Sequence, residues 1–415
     1  MRNARFLVII AILMGLLDLY VFQVVKTLTR SYSPKARMTF YVAYWSISAL
    51  VLLLIFLTPY ISTEGWMKTL RNYVMAILLG LFIAKLIAAL FFLIDDIRRV
   101  IAWAFGKFSG DSVTAARTGQ PGISRSLFLS WLGIIAGGSL FSTLVYGFRN
   151  KYRYELRTVK LTYENLPASF KGFKIVQISD IHSGSFNDRE AVAKGVEEIL
   201  EQKPDIILFT GDLVNDRATE MKDYMDVFSR LRAPMGVYST LGNHDYGDYV
   251  EWESPEAKSA NLEALKNVHR ELGWNLLMNE HKVFERNGES IALLGIENWG
   301  AKGRFPKYGK MAEAYAGSEK IPFKILMSHD PSHWDAQVRT EYPDVDLMLA
   351  GHTHGMQFGI EVPGFKWSPV QYMYDQWAGL YEQGRQKLYV NRGYGFIGYP
   401  GRVGIMPEIT VIDLV

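Results

Sequence analysis

The chain has 415 residues, no cysteine and a formal net charge of +3. It therefore has room for at least two domains, and it contains no disulfide, thiolate nucleophile or Cys-ligated zinc. The small net charge gives no indication of a nucleic-acid surface, and nothing in the sequence indicates an obligatory protein partner. Hydrophobic residues make up 49% of the chain, and their excess over a soluble protein lies in the N-terminal third.

That N-terminal third contains four apolar runs, each near the roughly 20 residues that cross a bilayer core. Basic linkers separate the runs, and Trp and Tyr are frequent near their ends, which is typical of membrane helices. Four runs in succession favour a membrane region over a single buried helix or a signal peptide. We predict a multi-pass transmembrane region over 1–150, embedded in the lipid bilayer, with helices over about 6–25, 39–60, 73–94 and 126–148.

Two ionisable residues interrupt these spans, Asp18 in the first and Lys85 in the third. An ionisable group inside a membrane is costly and usually faces a partner or a cavity. One interpretation is that the two residues pair and fix the packing of the helices, and the other is an ion or proton path. The first is favoured because no second acidic or His residue lies deep in the spans.

The orientation in the membrane is nearly undetermined, because nine basic residues on one face oppose eight on the other. The segment Ile123–Leu129 resembles a degraded twin-arginine export signal in which Ser126 replaces the second Arg. This favours an extracytoplasmic location for everything after Phe148, with the cytoplasmic face as the alternative. Residues 106–122 are predicted to form an exposed loop or a partly helical surface segment.

The remaining residues, 151–415, contain five short polar clusters, each directly after an apolar, β-rich run that predicts a buried strand. Ligands bind where the strands of an open α/β sheet end, so five such clusters predict a single site. Asp, Asn and His without Cys suit Mn, Fe or Zn. The clusters are Asp180-Ile-His182, Gly211-Asp212, Gly242-Asn243-His244-Asp245, His329-Asp330 and Gly351-His352-Thr353-His354.

The other segments of this region predict helices and further strands. Short strands and turns from Phe358 onward predict a second sheet that covers the first. The fold class is therefore α/β, a two-sheet sandwich with helices outside. The predicted helices are Asp188–Gln202 and Asn261–Gly273, and the predicted strands include Val159–Tyr163, Trp274–Met278, Lys282–Glu285 and Ser290–Glu297.

The five clusters, in this order, resemble the calcineurin-like metallophosphoesterase superfamily, and in particular its membrane-associated branch, which includes phosphodiesterases related to UDP-2,3-diacylglucosamine hydrolase. The match covers about residues 170–360, with Met356 standing where a Gly is usual. The resemblance implies two divalent ions, with Mn favoured. It assigns Asp180, His182 and His354 to the first ion, Asn243, His329 and His352 to the second, and Asp212 to both. It also implies that His244 protonates the leaving oxygen and that Asp245 orients His244.

Substrate recognition is less clear from the residues. Arg392 and Arg402 either neutralise a phosphate or form surface ion pairs, and Trp299, with Lys302 and Arg304, is a candidate wall of the entrance. The aromatic-rich stretch Phe365–Trp377 either admits a lipid headgroup beside the membrane or packs the second sheet.

Together these features predict a membrane-anchored phosphoesterase in which a metal-activated water attacks a phosphodiester or pyrophosphate bond, in a phosphorylated substrate that is lipid-linked or amphiphilic. Two alternatives remain. The first is a phosphomonoesterase for soluble esters, and the second is a non-catalytic membrane sensor, scaffold or transport module that keeps its metals for shape.

Overall fold

A computed structural model describes residues 2–61, 65–108, 125–303 and 305–415. The chain forms two compact units, Met1–Tyr146 and Gly147–Val415. Most of the predicted loop 106–122, the start of the twin-arginine-like motif and Arg304 lie outside the described residues.

The first unit consists of four long helices: α1 (Arg2–Leu28), α2 (Pro34–Leu57), α3 (Gly65–Phe108) and α4 (Arg125–Gly147). Each contains a segment long and apolar enough to cross a membrane, which confirms the four predicted spans. These segments are Leu7–Leu28, Pro34–Tyr60, Met67–Phe105 and Ser126–Asn150.

Helix α3 is much longer than its predicted span of 73–94. Its 44 residues correspond to about 66 Å at 1.5 Å per residue, roughly twice the hydrocarbon core. The predicted span ended at Ile94 because charged residues follow it in the sequence. In the structure those charges form pairs one helical turn apart, Arg98 with Asp95 at 2.9 Å and Arg99 with Asp95 at 3.3 Å, so they support the helix instead of ending it.

Two glycines of α4 let it approach α3 closely. Gly133 and Gly137 are four residues apart, and a Cβ on Gly137 would lie 2.4 Å from the carbonyl oxygen of Ala84. A Cβ on Gly133 would lie 3.0 Å from the carbonyl oxygen of Ala88. Small residues at this spacing allow membrane helices to pack backbone against backbone, where lipid supplies no hydrophobic driving force.

The two intramembrane charges pair with each other. The Lys85 ammonium contacts the carboxylate of Asp18, which is fully buried. The Tyr44 hydroxyl donates to the same carboxylate at 3.1 Å and to the Asp18 carbonyl at 2.9 Å. The contact links α1, α2 and α3, so the interpretation that these charges fix the packing of the helices is supported.

The second unit contains two six-stranded sheets. The first has the order β1-β14-β2-β3-β4-β5, and the second β12-β13-β9-β8-β7-β6. A separate hairpin is formed by β10 and β11. The strands are β1 Glu155–Leu161, β2 Phe173–Ile178, β3 Ile206–Phe209, β4 Val237–Ser239, β5 Asn275–Leu276, β6 Glu280–Arg286, β7 Glu289–Gly295, β8 Lys324–Met327, β9 Leu347–Ala350, β10 Ile360–Val362, β11 Phe365–Trp367, β12 Gly379–Gln383, β13 Gln386–Val390 and β14 Glu408–Leu414.

The two sheets pack face to face with helices on both outer faces, which confirms the predicted α/β sandwich. Ile175 of β2 and Ile325 of β8 belong to the core between the sheets. Val176 of β2 instead packs against the outer helices on its side. Strands that are buried on both faces consist of apolar residues throughout, so they could be predicted from apolar runs in the sequence. The helices are α5 Arg189–Glu201, α6 Met225–Phe228, α7 Pro255–Glu271, α8 Met311–Tyr315 and α9 Arg339–Glu341.

Two features differ from the sequence prediction. The residues after Phe358 do not build the second sheet alone, because that sheet also contains β6 to β9, while β14 returns to the first sheet between β1 and β2. Helix α7 begins at Pro255, not at Asn261, since the Ser254 hydroxyl accepts the Ala257 N–H at 3.2 Å and Pro occupies the first helical position.

Candidate metal centre

The five polar clusters meet at one place because their strands end side by side in the two sheets. Strands β2, β3 and β4 of the first sheet lead to Asp180, Asp212 and Asn243, and strands β8 and β9 of the second lead to His329 and His352. Five of the seven predicted ligands have a positive φ, between 48° and 71°. Non-glycine residues seldom adopt this conformation, and its cost is typical of functional sites. They are Asp180, His182, Asp212, His352 and His354.

A first group of ligand atoms consists of Asp180, His182 and His354. The Nε2 atoms of the two imidazoles face each other at 3.0 Å. His354 Nε2 lies 3.1 Å from Asp180 Oδ1, and His182 Nε2 lies 3.9 Å from the same oxygen. Ligands about 2.0–2.2 Å from one ion lie roughly 3 Å apart, so the spacing fits a metal site.

A second group consists of Asp212, His329 and His352. His329 Nε2 lies 3.2 Å from Asp212 Oδ2. The Asn243 amide oxygen extends the group, since it lies 2.8 Å from His352 Nδ1. The amide nitrogen of Asn243 donates to the Tyr249 hydroxyl at 2.8 Å, which turns the amide oxygen toward the other ligands.

Asp212 lies between the two groups. Its Oδ2 is 3.6 Å from His182 Nε2 of the first group and 3.2 Å from His329 Nε2 of the second. Its Oδ1 accepts the backbone N–H of His244 at 2.8 Å. The carboxylate is therefore held in place by the backbone and is within reach of both groups.

The arrangement of the ligand atoms suits the binding of divalent cations better than hydrogen bonding among the side chains themselves. His329 Nε2 is buried 3.2 Å from Asp212 Oδ2 without a well-aligned hydrogen bond to it, and its other ring nitrogen, Nδ1, donates to the Thr210 carbonyl at 2.8 Å. A ligating His is commonly oriented in this way, by a hydrogen bond from its second nitrogen. An unsatisfied buried nitrogen aimed at a carboxylate is costly unless a cation lies between them.

Burial and charge set the protonation of the imidazoles. Burial lowers the pKa of His182 well below its ordinary value, and it also lowers the pKa of His352. For His329, burial acts in the same direction, but the Asp212 and Asp180 carboxylates outweigh it and raise the pKa to about 10. The carboxylates therefore attract positive charge at the position where a cation would sit, and burial favours the neutral forms of His182 and His352, which metal ligation requires.

Two glycines make room for the carboxylates. A Cβ on Gly242 would lie 2.2 Å from Asp212 Oδ1, and a Cβ on Gly351 would lie 2.2 Å from Asp180 Oδ2. No side chain fits at these distances. The Gly flanks of the clusters therefore follow from the close approach of neighbouring loops to the ligands.

His244 lies beside the first group, its ring perpendicular to that of His182 with centroids 4.9 Å apart. Its Nδ1 is 2.8 Å from the Asn215 carbonyl oxygen, which can only accept, so Nδ1 carries a proton and Nε2 is the free nitrogen. The prediction that Asp245 orients His244 is therefore wrong. Asp245 is buried and accepts N–H groups from Gly242, Asp212 and two following residues, so it ties together the loops after β3 and β4.

The prediction that Arg392 binds a phosphate is also wrong. Arg392 is only 2% exposed, and its guanidinium is neutralised by two carboxylates, Glu408 and Glu361, the latter at 2.7 Å. The alternative of a surface ion pair is wrong as well, because the pair is buried. The sequence could not show this, since the partners are 31 and 16 residues away.

Arg402 is fully buried and has a structural role in place of the predicted substrate contact. Its guanidinium donates to the carbonyl oxygens of Arg392 at 2.8 Å and of His354 and Gly393 at 3.2 Å. These carbonyls belong to the loops that carry a predicted ligand and its neighbours. Arg402 therefore stabilises the backbone beneath the site.

Removing the Arg392 charge is expected to destabilise the protein strongly. In Arg392→Met, Glu361 keeps its pair with Arg157 at 3.0 Å, but the fully buried Glu408 loses its cation. Breaking a buried ion pair by removing one partner costs about 3–5 kcal/mol. Thermal unfolding of the full-length protein in detergent measures the effect. Arg230→Met is the matched control, since that residue forms an exposed pair with Glu197 at 3.2 Å worth about 0–1 kcal/mol. Equal melting temperatures for the two variants would contradict the expectation.

Trp299 contacts no predicted ligand among the residues that the structure describes. Its ring packs on His333, with centroids 4.4 Å apart, and the Lys307 ammonium lies 4.2 Å from its centroid. Phe305, farther along the same loop, lies against His352 instead, with centroids 5.0 Å apart. Lys302, which was grouped with Trp299, pairs with Asp375 at 3.1 Å.

Sequence reasoning missed the residues that support His352. Its Nε2 lies 2.9 Å from the Tyr374 hydroxyl, which in turn lies 3.4 Å from Asp330 Oδ2. Because these contacts engage Nε2 of His352, Nδ1 is the ring nitrogen that can bind a metal. Asp330 stands beside a predicted ligand in the sequence, which was an available signal, but nothing in the sequence indicates the contact with Tyr374.

Comparison with known families agrees with this geometry. Residues 3–151 match the family described as "Probable Calcineurin-like phosphoesterase, transmembrane domain", and residues 173–356 match "Calcineurin-like phosphoesterase". The two matches fall on the helical unit and on the unit that carries the ligand groups.

Individual relatives are named as metallophosphoesterases or as a phosphodiesterase. The uncharacterized metallophosphoesterase YkuE of Bacillus subtilis is 31% identical over 301 residues, 70% of this chain and 98% of that protein. A transmembrane protein with metallophosphoesterase domain from Danio rerio is 31% identical over 62% of this chain, which spans only 56% of that relative. Phosphodiesterase YaeI of Escherichia coli is 29% identical over 59% of this chain and 82% of its own length. The chain is a membrane protein that belongs to the calcineurin-like metallophosphoesterase family.

Proposed function

We propose that the protein is a membrane-anchored phosphoesterase that uses two divalent ions to hydrolyse a phosphodiester or pyrophosphate bond. The observation that carries this proposal is the position of Asp212 within reach of two ligand groups, with a free imidazole nitrogen of His244 beside them. The family membership and the phosphodiesterase-named relative support it.

In this proposal, Asp180, His182 and His354 hold one ion, and Asn243, His329 and His352 hold the other, with Asp212 shared. Two such ions, when bound, polarise a phosphoryl oxygen and make a water acidic enough to attack at neutral pH. The ligand types suit Mn, Fe or Zn. The protein supplies the orientation, because the Thr210 carbonyl and the Tyr374 hydroxyl fix the second nitrogens of His329 and His352.

His244 supplies the proton for the leaving oxygen. Because Nδ1 donates to the Asn215 carbonyl, the imidazolium can release only the proton on Nε2 without losing this contact. The ring is also held by Tyr249, whose centroid lies 4.4 Å away. These contacts orient a general acid beside the first ligand group, a role worth about 10²–10⁴ in rate.

Metal dependence and bond type can be tested together. Full-length protein purified in detergent is stripped with a chelator, and Mn, Fe or Zn is then added back. We expect no turnover without metal and, with metal, faster turnover of bis(p-nitrophenyl) phosphate than of p-nitrophenyl phosphate. Preference for the monoester would favour the phosphomonoesterase alternative, and a metal-loaded protein inactive on both would favour the non-catalytic one.

The surface next to the site supports an amphiphilic substrate. Most of the exposed large hydrophobic residues of the second unit lie in one segment, 356–373, which begins two residues after His354 and ends one residue before Tyr374. In the β10–β11 hairpin, Val362 pairs with Phe365 across the strands, so both lie on one face. We call this segment the apolar rim; its exposed members are Met356, Ile360, Val362, Phe365, Tyr372 and Met373.

Exposed apolar groups of this size usually mark a partner or a membrane surface. We expect Val362→Ser/Phe365→Ser to lower turnover of a phosphodiester presented in mixed micelles by about tenfold or more, because each buried side chain contributes about 1.5–3 kcal/mol. Turnover of a soluble diester should be unchanged. Val415→Ser is the control, because Val415 is also exposed but follows β14 and lies outside the segment 356–373. An equal loss on both substrates would contradict a lipid-facing role.

The extracytoplasmic location of the second unit stays a prediction. A reporter fused after Val415 that is active only in the cytoplasm tests it. Signal from that reporter would move the site to the cytoplasmic face.

A further inference from the structure

The helical unit contains a cavity of about 460 Å³ between α1, α3 and α4, lined by both polar and apolar side chains. It lies where α1 and α3 approach their C-terminal ends and α4 begins. The lining residues of α3 are spaced three and four apart, so they form one face of that helix. The lining of α1 is Tyr20, Gln23, Val24, Lys26, Thr27 and Arg30; that of α3 is Phe92, Asp95, Asp96 and Arg99; and that of α4 is Leu129 and Ser130.

The character of the cavity wall changes along the helices. Tyr20 and Phe92 line one end, and Arg30 and Arg99 line the other. At 1.5 Å per residue, the ten residues from Tyr20 to Arg30 cover about 15 Å. The apolar segment of α1 ends at Leu28, so the charged end of the cavity is at the depth of the lipid headgroups and the aromatic end is within the hydrocarbon region.

The cavity is lined by three basic residues but only two carboxylates, Asp95 and Asp96. Asp95 pairs with Arg98 and Arg99, and Asp96 pairs with Arg99 and accepts the Tyr20 hydroxyl at 2.8 Å. Both carboxylates are therefore already engaged.

Lys26 and Arg30, by contrast, have no carboxylate partner among the described residues. The Lys26 ammonium lies over the Phe22 ring, 5.0 Å from its centroid. Two exposed cations without counter-ions, beside carboxylates that are already paired, attract an anion.

We propose that this cavity binds an anionic phospholipid, with the phosphate between Lys26 and Arg30 and the glycerol and upper acyl chain along Val24, Phe92 and Leu129. Basic pockets between transmembrane helices bind lipid headgroups by this combination of charge and apolar wall. Arg and Lys donors suit a phosphate oxygen, and Arg can contact it with two N–H groups. A free phosphate would use the cations but leave the apolar wall without a partner. The site is independent of the metal centre.

Native mass spectrometry of the full-length protein in detergent tests the proposal, with phosphatidylglycerol, phosphatidylcholine and inorganic phosphate as the probes. We expect the protein to retain phosphatidylglycerol in preference to phosphatidylcholine. Lys26→Gln/Arg30→Gln should weaken phosphatidylglycerol binding by about 25-fold, since each cation near the membrane surface contributes about fivefold. Circular dichroism and size-exclusion chromatography establish that the variants are folded.

Lys35→Gln/Arg37→Gln is the matched control, because it removes the same charges from the start of α2, which does not line the cavity. Unchanged binding in this control, together with the loss in the first variant, supports the site. An equal loss in both variants would indicate only general attraction to basic residues and would overturn the proposal. Equal retention of the two lipids, or competition by inorganic phosphate at millimolar concentration, would also overturn it.

Discussion

Replacing His244 with Gln is expected to lower kcat on a phosphodiester by about 10²–10⁴ while both metals stay bound. Gln cannot carry an ionisable proton, so the leaving oxygen loses its acid. The two ligand groups do not contain the His244 side chain, so metal content should be unchanged. The loss should be largest for an alkyl leaving group and small for p-nitrophenolate, which departs without protonation. Steady-state kinetics on an alkyl diester and on a p-nitrophenyl diester measures the two losses of kcat, and elemental analysis measures the metal content.

His281→Gln is the matched control for this substitution. His281 is also held by a backbone carbonyl, that of Ala314 at 2.9 Å, but it belongs to β6 and contacts no predicted ligand. It should retain wild-type kcat on both diesters. If His244→Gln loses the same factor with both leaving groups, the imidazole has another role, such as binding the phosphate.

Replacing Asp212 with Asn is expected to impair both ligand groups at once. The change removes the carboxylate that lies within reach of both ligand groups, at 3.2 and 3.6 Å from their imidazole nitrogens. An amide oxygen carries no charge to hold a second cation near the first. We expect fewer than two metals per chain and a fall in turnover of about 10³ or more, because the two ions act as a pair on the phosphoryl group.

Elemental analysis and single-turnover kinetics on the same sample distinguish loss of metal from loss of chemistry. Asp226→Asn, which removes an exposed carboxylate paired with Arg189, should leave both unchanged. A protein that keeps two tightly bound metals and near wild-type turnover without Asp212 would refute the shared-ligand arrangement.

The sequence alone was sufficient to predict the four membrane helices and to predict that the five polar clusters meet at one place. Membrane helices satisfy their own backbone and need only length and apolar character, both of which are local. The meeting of the clusters could be predicted because β2, β3, β4, β8 and β9 are buried and consist of apolar residues, each strand being followed directly by its polar cluster.

The tertiary structure decided what depends on distant partners. Whether Arg392 meets a phosphate or a carboxylate depends on Glu361 and Glu408, which approach it only through the β10–β11 hairpin and β14. The return of β14 to the first sheet is a long-range pairing that strand patterns do not encode. The orientation of His244 depends on the Asn215 carbonyl, a backbone group that every residue has. Sequence shows which side chains are available for chemistry, but the fold determines which of them remain free, because charges and hydrogen bonds are neutralised by whatever lies nearest in space.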